Sequence, residues 1–196
     1  LSGGYSTITG KTIGPQSHLE PLELLKNIRP LFYENVAWFA DKMAQAANGA
    51  SRAVSLLPVP FLSCFMGGVD SGWDLRDTEH QGTRYNASGC LIHGLSVVAD
   101  SFVAIDWLLR DRPHDAARLI EGCRTDFKDC GELREYLKSC PKFGYNLPEA
   151  DREAAEVVNR VSDIVRNQKN YLGNAFRPDW SSPSTHLLYG YWVGAT

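Results

Sequence analysis

Apolar residues recur at helical spacing through the middle of the chain, between residues 95 and 109. The positions on one helical face are Leu95, Val98, Phe102, Ile105 and Leu109. Val97, Ala104 and Trp107 widen this face, so that most of the helix circumference is apolar. A helix of this kind is packed inside a sizeable body, because it has little polar surface to present to water.

Further helices are predicted on both sides of this segment. Pro21 opens a helix whose apolar face continues to Met43, and Pro30 kinks that helix or divides it in two. Its end falls at Gly49 or near Leu56. The remaining long helices are predicted over residues 113–123, 131–140 and 148–169.

Glycine and proline mark the turns and the short strands. Residues 82–94 contain three glycines and predict a short strand and turn pressed against another element, because glycine allows close backbone approach. A proline-rich turn at residues 57–63 leads into a short helix that Gly67 and Gly68 close. An extended segment interrupted by Pro178 and Pro183 is predicted after Gly173. Short strands are also predicted at residues 5–9 and 185–193. The chain is therefore predicted to be mostly helical.

Composition narrows the class of protein. The chain has 196 residues, of which 43% are hydrophobic, so it forms one domain or a large piece of one. A net charge of −3 provides no basic surface for nucleic acid. No apolar run approaches ~20 residues and the N-terminus lacks the pattern of a signal peptide, so we expect a cytoplasmic protein without a membrane span. Both ends read as if cut from a longer chain.

The residues carry little recognisable chemistry by themselves. The five cysteines have irregular spacing and form no Cys/His cluster at zinc spacing, so they are predicted to be reduced structural thiols and no metal site is expected. The letters T-G-K-T at residues 9–12 lack the first glycine of a phosphate-binding loop, whose place Tyr5 takes. No Ser-His-Asp pattern, paired carboxylates or dinucleotide-binding glycines are present, and no catalytic residue is predicted.

Five short blocks, taken in order, are more specific. They are P-V-P-F-L-S at residues 58–63, G-T-R-Y-N-A-S-G at 82–89, A-D-S at 99–101, P-K-F-G-Y-N at 141–146, and F-R-P at 176–178 with Y-G and G-A-T near the end. This set resembles the glycyl radical enzymes, the superfamily of pyruvate formate-lyase and glycerol dehydratase. The resemblance covers essentially the whole chain and is closer to the dehydratase and decarboxylase branch.

The resemblance implies an α/β fold, a ten-stranded barrel of two half-sheets wrapped in helices. Residues 1–196 would be part of one such domain, a mostly helical fragment with one or two barrel strands. The cysteine motif G-C-V-E and the radical-glycine motif R-V-x-G-Y of the family are both absent from the chain. The fragment alone is therefore expected to be inactive and to supply wall rather than radical chemistry.

The resemblance also implies partners and a cofactor. The intact enzyme would be a radical lyase or transferase of anaerobic metabolism, acting on a small organic substrate as a homodimer. Its glycyl radical would be installed by a radical S-adenosylmethionine activating enzyme, and the fragment itself would bind no cofactor. The alternative is a non-catalytic helical module or an orphaned gene fragment that keeps only the packing of the fold.

Departures from the family pattern bear on the substrate. Where the family has S-G-P-Q-G-V-G, this chain has S-G-C-L-I-H-G at residues 88–94, so that Cys90 stands in the place of the proline. We expect Cys90 to be a small buried thiol with a structural role, and the alternative is a second redox or radical cysteine.

Three residues are predicted to bind substrate. In glycerol-dehydratase-like members a tyrosine three residues after the F-x-P proline lines the pocket, and the matching residue here is Ser181. The resemblance therefore implies a wider pocket, with Ser181 and Thr185 facing it and Trp180 filling the space beside them. Tyr85 and Asn86 are predicted to be structural, with the Asn86 amide hydrogen-bonded to main chain.

Overall fold

Helices account for most of the described chain. The structure is a computed structural model that describes residues 5–6, 8–80 and 88–181. Helices α1 to α8 span Pro21–Lys26, Ile28–Ser55, Pro60–Ser63, Val69–Ser71, Leu95–Asp111, Ala116–Thr125, Gly131–Ser139 and Pro148–Arg166. A π-helical turn at Cys64–Gly68 joins α3 to α4, and a 3₁₀ turn at Pro113–Asp115 precedes α6. Strands β1 to β4 span Tyr5–Ser6, Lys11–Thr12, Ser88–Ile92 and Phe176–Trp180.

The chain divides into two compact units. The first comprises Leu1–Asn35, His93–Arg160 and Trp180–Thr196, and the second comprises Val36–Ile92 and Val161–Asp179. Within the described residues, none of the helices taken singly has the length and apolar character needed to cross a membrane, although α2 and the following Pro60–Ser71 segment satisfy those two criteria when taken as a bent pair.

The first unit is built around α5, which confirms the predicted buried helix. Phe102 and Ile105 of the predicted apolar face are buried, together with Leu108, which the prediction did not name. Val97, which was predicted to widen that face, is exposed. The main core cluster brings α1, α5, α6 and α7 together through Leu25, Ile105, Leu108, Ala116, Leu119 and Leu133. The apolar side chains of these helices meet in this shared core, which removes them from water.

An ion-pair network accompanies this core. Arg29 of α2 donates through Nη1 and Nη2 to Asp106 of α5, at 2.8 and 2.6 Å, and through Nε and Nη2 to Glu153 of α8, at 3.2 and 2.8 Å. The guanidinium also lies 4.9 Å above the Phe102 ring. The hydrogen bond to Asp106, followed by that to Glu153, holds the pKa of Arg29 above its ordinary value. One side chain therefore joins three helices.

The division near Pro30 is confirmed, although the break falls earlier. Helix α1 ends at Lys26, and the side-chain amide of Asn27 donates to the carbonyl oxygen of Glu23 at 2.8 Å. Pro30 lies in the first turn of α2, where a missing N–H leaves no helical hydrogen bond unmade. Helix α2 then runs through Gly49 to Ser55, which is the longer of the two predicted ends.

The P-F-L-S block forms a tight helical turn in the second unit. The Ser63 hydroxyl lies 2.9 Å from both the Val59 carbonyl oxygen and Asp74 Oδ2, and it accepts the Leu75 N–H at 2.8 Å. Hydrogen bonds to its carboxylate hold the pKa of Asp74 below its ordinary value, and the bond from the Arg76 backbone N–H contributes most to this lowering. Ser63 and Asp74 therefore anchor the turn to the loop after it.

The predicted end of this short helix is corrected by the structure. Gly67 has φ 99° and interrupts the helical geometry, but helical structure resumes at Val69 and stops at Gly72, whose φ is 75°. Gly68 is helical and close-packed, since a Cβ there would lie 2.6 Å from the Ser63 carbonyl oxygen. Gly67 therefore provides a positive φ and Gly68 a close approach of backbone, and neither ends the helical segment.

Two strand predictions changed in extent. The predicted strand at residues 5–9 is a two-residue strand, β1, which pairs antiparallel with β2 through Tyr5 opposite Thr12. Strand β3 lies inside the glycine-rich stretch, as predicted. Strand β4 falls in a segment for which only extended conformation was predicted. The predicted strand at 185–193 lies outside the described residues.

Candidate functional site

Strands β3 and β4 form a short parallel sheet, so their carboxyl ends lie at the same edge. In open parallel α/β sheets this is the edge beyond which ligands bind, because the loops that leave it carry the variable side chains. His93 follows β3 directly, and Ser181 follows β4 directly. This edge is therefore the candidate site.

A turn organised by Asn170 delivers the chain from α8 into β4. Its side-chain oxygen accepts the backbone N–H groups of Leu172 and Asn174, at 3.1 and 2.9 Å. Its side-chain nitrogen donates to the Ser88 hydroxyl at the start of β3, at 3.2 Å. Asn170 is buried, and its hydrogen bonds fix where β4 begins relative to β3. Sequence reasoning missed this residue, although N-x-x-G-N is a recognisable turn signal.

The two faces of the β3–β4 sheet differ in how far helices cover them. Cys90 and Ile92 of β3 pack with Phe176 of β4 against a small core that includes Ala44 and Val165. The alternate residues, among them Leu91, Arg177 and Asp179, are exposed. Parallel sheets are normally covered on both faces. One face of this sheet is therefore covered by helix within the described residues, and the other is open.

His93 and Ser181 meet at the ends of the strands. His93 Nδ1 lies 3.0 Å from the backbone carbonyl oxygen of Ser181. The His93 side chain is exposed, and Ser181 is half-buried. The contact joins two residues that are far apart in sequence, and it is consistent with the parallel pairing of the strands that precede them. Sequence reasoning noted the H in S-G-C-L-I-H-G only as a departure and gave His93 no role.

The predicted substrate-binding residues are placed only in part. Trp180, the last residue of β4, is half-buried, and the two-residue period of the strand puts it on the same face as Phe176. By the same period Ser181 belongs to the opposite face, away from that covered by helix. Thr185 lies outside the described residues, as do Tyr85 and Asn86, so the structure brings no third predicted residue to Trp180 and Ser181.

Two of the sequence blocks meet in the first unit. Asp100 of the A-D-S block accepts the backbone N–H of Phe143, from the K-F-G block, at 2.7 Å. Gly144 follows with φ 93°, which glycine adopts without strain. The Lys142 ammonium donates to the Leu137 carbonyl oxygen at the end of α7, at 3.0 Å. The blocks therefore serve the connection between α5 and the chain that leads to α8, rather than the strand ends.

The cysteines are unsuited to thiolate chemistry where their surroundings are informative. All five are free thiols in the described residues. Burial raises the pKa of Cys90, Cys123 and Cys140, so these groups keep their protons near neutral pH. Cys90 is half-buried against the small core of the second unit, rather than fully buried as predicted. Across residues 5–6, 8–80 and 88–181, no group of three His, Cys, Asp or Glu side chains could hold a metal ion.

Comparison with known proteins gives the architecture a family. A model of the pyruvate formate lyase-like family matches residues 1–190. The trans-4-hydroxy-L-proline dehydratase of Clostridioides difficile is 22% identical over 204 residues, spanning 100% of this chain and 25% of that protein. The glycerol-bound B12-independent glycerol dehydratase of Clostridium butyricum is 27% identical, with a TM-score of 0.80 over 90% of this chain and 22% of that chain.

A second solved structure supports the same fold. The hydroxyproline dehydratase of Clostridioides difficile, with trans-4-hydroxy-L-proline bound, superposes with a TM-score of 0.81 over 96% of this chain and 24% of that chain, at 21% identity. The described residues thus have the fold of a portion of a glycyl radical enzyme barrel. The chain belongs to the pyruvate formate lyase-like family. It spans about a quarter of the length of the relatives it matches.

Proposed function

We propose that this chain is a segment of a glycyl radical lyase of the dehydratase class, and that it supplies part of the substrate-cavity wall. The observation that carries the proposal is the match along almost the entire chain to the family, together with relatives that are dehydratases. The face of the parallel sheet that is open within the described residues is consistent with it, because parallel sheets are normally covered on both faces.

The radical chemistry would come from other parts of the full-length protein. A stored glycyl radical and a cysteine thiyl radical would supply hydrogen-atom exchange, since S–H and activated C–H bonds have similar strengths. Burial raises the pKa of Cys90, Cys123 and Cys140, which disfavours thiolate chemistry at these three positions, and the absence of the G-C-V-E motif from the chain supports a structural role for them. We therefore propose that residues 1–196 are part of a single pyruvate formate-lyase-like domain and that they lack its cysteine loop and its radical loop.

The substrate would meet this segment at the exit of β4. We assign Ser181 as a hydrogen-bonding group for a polar substituent of the substrate, with Thr185 as a second substrate-binding residue and Trp180 as the neighbouring bulky side chain. A serine hydroxyl both donates and accepts, which suits a hydroxyl-bearing substrate such as a diol or a hydroxylated amino acid. A serine in place of the tyrosine found in glycerol-dehydratase-like members favours a substrate bulkier than glycerol.

The first experiment is to read the flanking reading frame. G-C-V-E upstream and R-V-x-G-Y downstream support the enzyme, and stop codons on both sides support the orphaned-fragment alternative. The full-length protein is then treated anaerobically with a radical S-adenosylmethionine activating enzyme. A glycyl radical signal in electron paramagnetic resonance is expected, followed by loss of water from glycerol or from trans-4-hydroxy-L-proline.

Controls separate the possible outcomes. A dehydratase activated in parallel shows that the activating enzyme works. If the control dehydratase forms its radical and the full-length protein does not, the proposal is contradicted. If the protein forms a radical and exchanges formate but does not dehydrate either substrate, it is a formate acetyltransferase-like enzyme instead. The same preparation tests the homodimer by sedimentation, and it tests the need for the remainder of the chain by comparison with residues 1–196 expressed alone, which we expect to be inactive.

A further inference from the structure

We propose that His93 is a positioning residue, which holds the exit of β4 so that Ser181 is presented to the substrate. The inference rests on the proposed function, but its structural basis is the contact between two described residues. His93 Nδ1 lies 3.0 Å from the Ser181 carbonyl oxygen. No other described side chain is placed by a hydrogen bond on Ser181, the residue assigned to the substrate.

The chemistry of the contact fixes the role of the ring. A backbone carbonyl has lone pairs and no hydrogen, so Nδ1 must carry the proton and donate it. In the neutral ring this selects the Nδ1–H tautomer and leaves Nε2 as an acceptor, while in the charged ring both nitrogens donate. Either form makes the bond to Ser181. The contact therefore requires a donor at the position of Nδ1 and does not depend on the charge of His93.

The two ends of the contact differ in how firmly they are held. His93 lies between β3 and Gly94, whose φ of 87° turns the chain into α5. Helix α5 contains the most buried part of the first unit, so the backbone on the far side of His93 is well anchored. Ser181 comes after the last residue of β4, where strand pairing ends. The bond therefore ties the less supported strand exit to the better supported one.

Sequence departures occur at both residues of the pair. The family pattern S-G-P-Q-G-V-G has an apolar valine where this chain has His93, and a valine side chain has no hydrogen-bond donor. Ser181 stands where glycerol-dehydratase-like members have tyrosine. A tyrosine is bulky enough to be positioned by packing, whereas a serine has little surface to pack. A side-chain donor to its backbone replaces that support, which is the physical reason for a histidine here.

The test uses the activated full-length enzyme and three substitutions at one position. His93→Asn keeps an N–H near the place of Nδ1, His93→Gln moves the donor one bond further out, and His93→Val removes it. His18→Val is the matched control, because the His18 side chain is exposed and the residue lies far from both strand ends in sequence. The substrates are glycerol and trans-4-hydroxy-L-proline.

Hydrogen–deuterium exchange and kinetics report on different parts of the proposal. We expect faster exchange in the peptide spanning residues 176–181 in His93→Val, and exchange close to wild type in His93→Asn. We expect the KM of His93→Val to rise about tenfold, equivalent to about 1.4 kcal/mol, with kcat within about a factor of two. His93→Asn should recover most of the KM, and His93→Gln should recover less.

The outcomes distinguish a failure of the positioning role from a failure of the proposed function. Unchanged exchange and unchanged KM in His93→Val overturn the role of His93, and so does a His93→Asn variant as impaired as His93→Val. A wild-type protein that forms no glycyl radical refutes the proposed function and, with it, the positioning role. Where the radical forms but neither substrate is turned over, the exchange result alone decides, because the tie is visible without catalysis.

Discussion

Replacing Arg29 should weaken the attachment of α8 to α2 and α5 more than the loss of a solvent-exposed ion pair would. The informative substitution is Arg29→Met, which keeps a long aliphatic side chain over Phe102 and deletes the guanidinium. Four hydrogen bonds are lost, two to Asp106 and two to Glu153. The free energy lost depends on how far water can reach each carboxylate once the guanidinium is gone.

The two carboxylates differ in exposure. The Asp106 side chain is 48% exposed and water replaces its partner, so that pair contributes about 0.2–1 kcal/mol. The Glu153 side chain is 15% exposed, and breaking a fully buried pair costs about 3–5 kcal/mol. The Arg29–Glu153 pair lies between these limits. We therefore expect Arg29→Met to lower the local free energy of opening by about 2–4 kcal/mol.

Native-state hydrogen exchange of the full-length protein measures this value in peptides from α8 and α5. Arg29→Met combined with Glu153→Gln should lose about 1–2 kcal/mol less than the sum of the two single substitutions, because no buried charge is left unpaired. Lys26→Met is the control, since its pair with Glu23 is half-exposed on both sides and should contribute under about 0.5 kcal/mol. An Arg29→Met effect as small as that of the control, or strict additivity, would refute the reasoning.

Three further predictions concern single residues. Gly68→Ala should destabilise its segment by about 1–3 kcal/mol, because the added Cβ would lie 2.6 Å from a carbonyl oxygen. Gly49→Ala, whose Cβ would have nothing within 4 Å, should stabilise α2 by about 0.5–1 kcal/mol. Equal changes in the hydrogen exchange of the two variants would contradict this. Asp74 has a lowered pKa, chiefly through the hydrogen bond from the Arg76 backbone N–H, so the stability it contributes is present above the ordinary carboxyl pKa and is lost as the pH falls through the pKa of the folded state. Asp74→Asn should abolish this acid-induced opening of the turn. An unchanged dependence of hydrogen exchange on pH in Asp74→Asn would argue against the anchoring role of Asp74. Iodoacetamide at neutral pH should modify exposed Cys64 well before Cys90, whose pKa is raised by burial, and Cys90→Ala should retain turnover; mass spectrometry of timed samples decides the order.

Local pattern was sufficient for the helices. The apolar period of α5 and the proline and acidic residues at the start of α8 act within a few residues, so each helix could be predicted from its own segment. The division of the first long helix was predicted from Pro30 for the same reason. The order of the short blocks was enough to indicate the family, because five blocks in register are more specific than any one of them.

The site depended on tertiary structure. Strand β4 is only five residues long and contains a proline, which disfavours a strand, and it becomes one through pairing with β3, which lies more than 80 residues earlier. The contact between His93 and Ser181 exists only because parallel strands bring their carboxyl ends together. Asn170 likewise acquires its role by reaching Ser88 across the same distance in sequence. Such pairings are absent from any window of sequence, since strand pairing is set by non-local contacts, whereas a helix makes its hydrogen bonds within one turn.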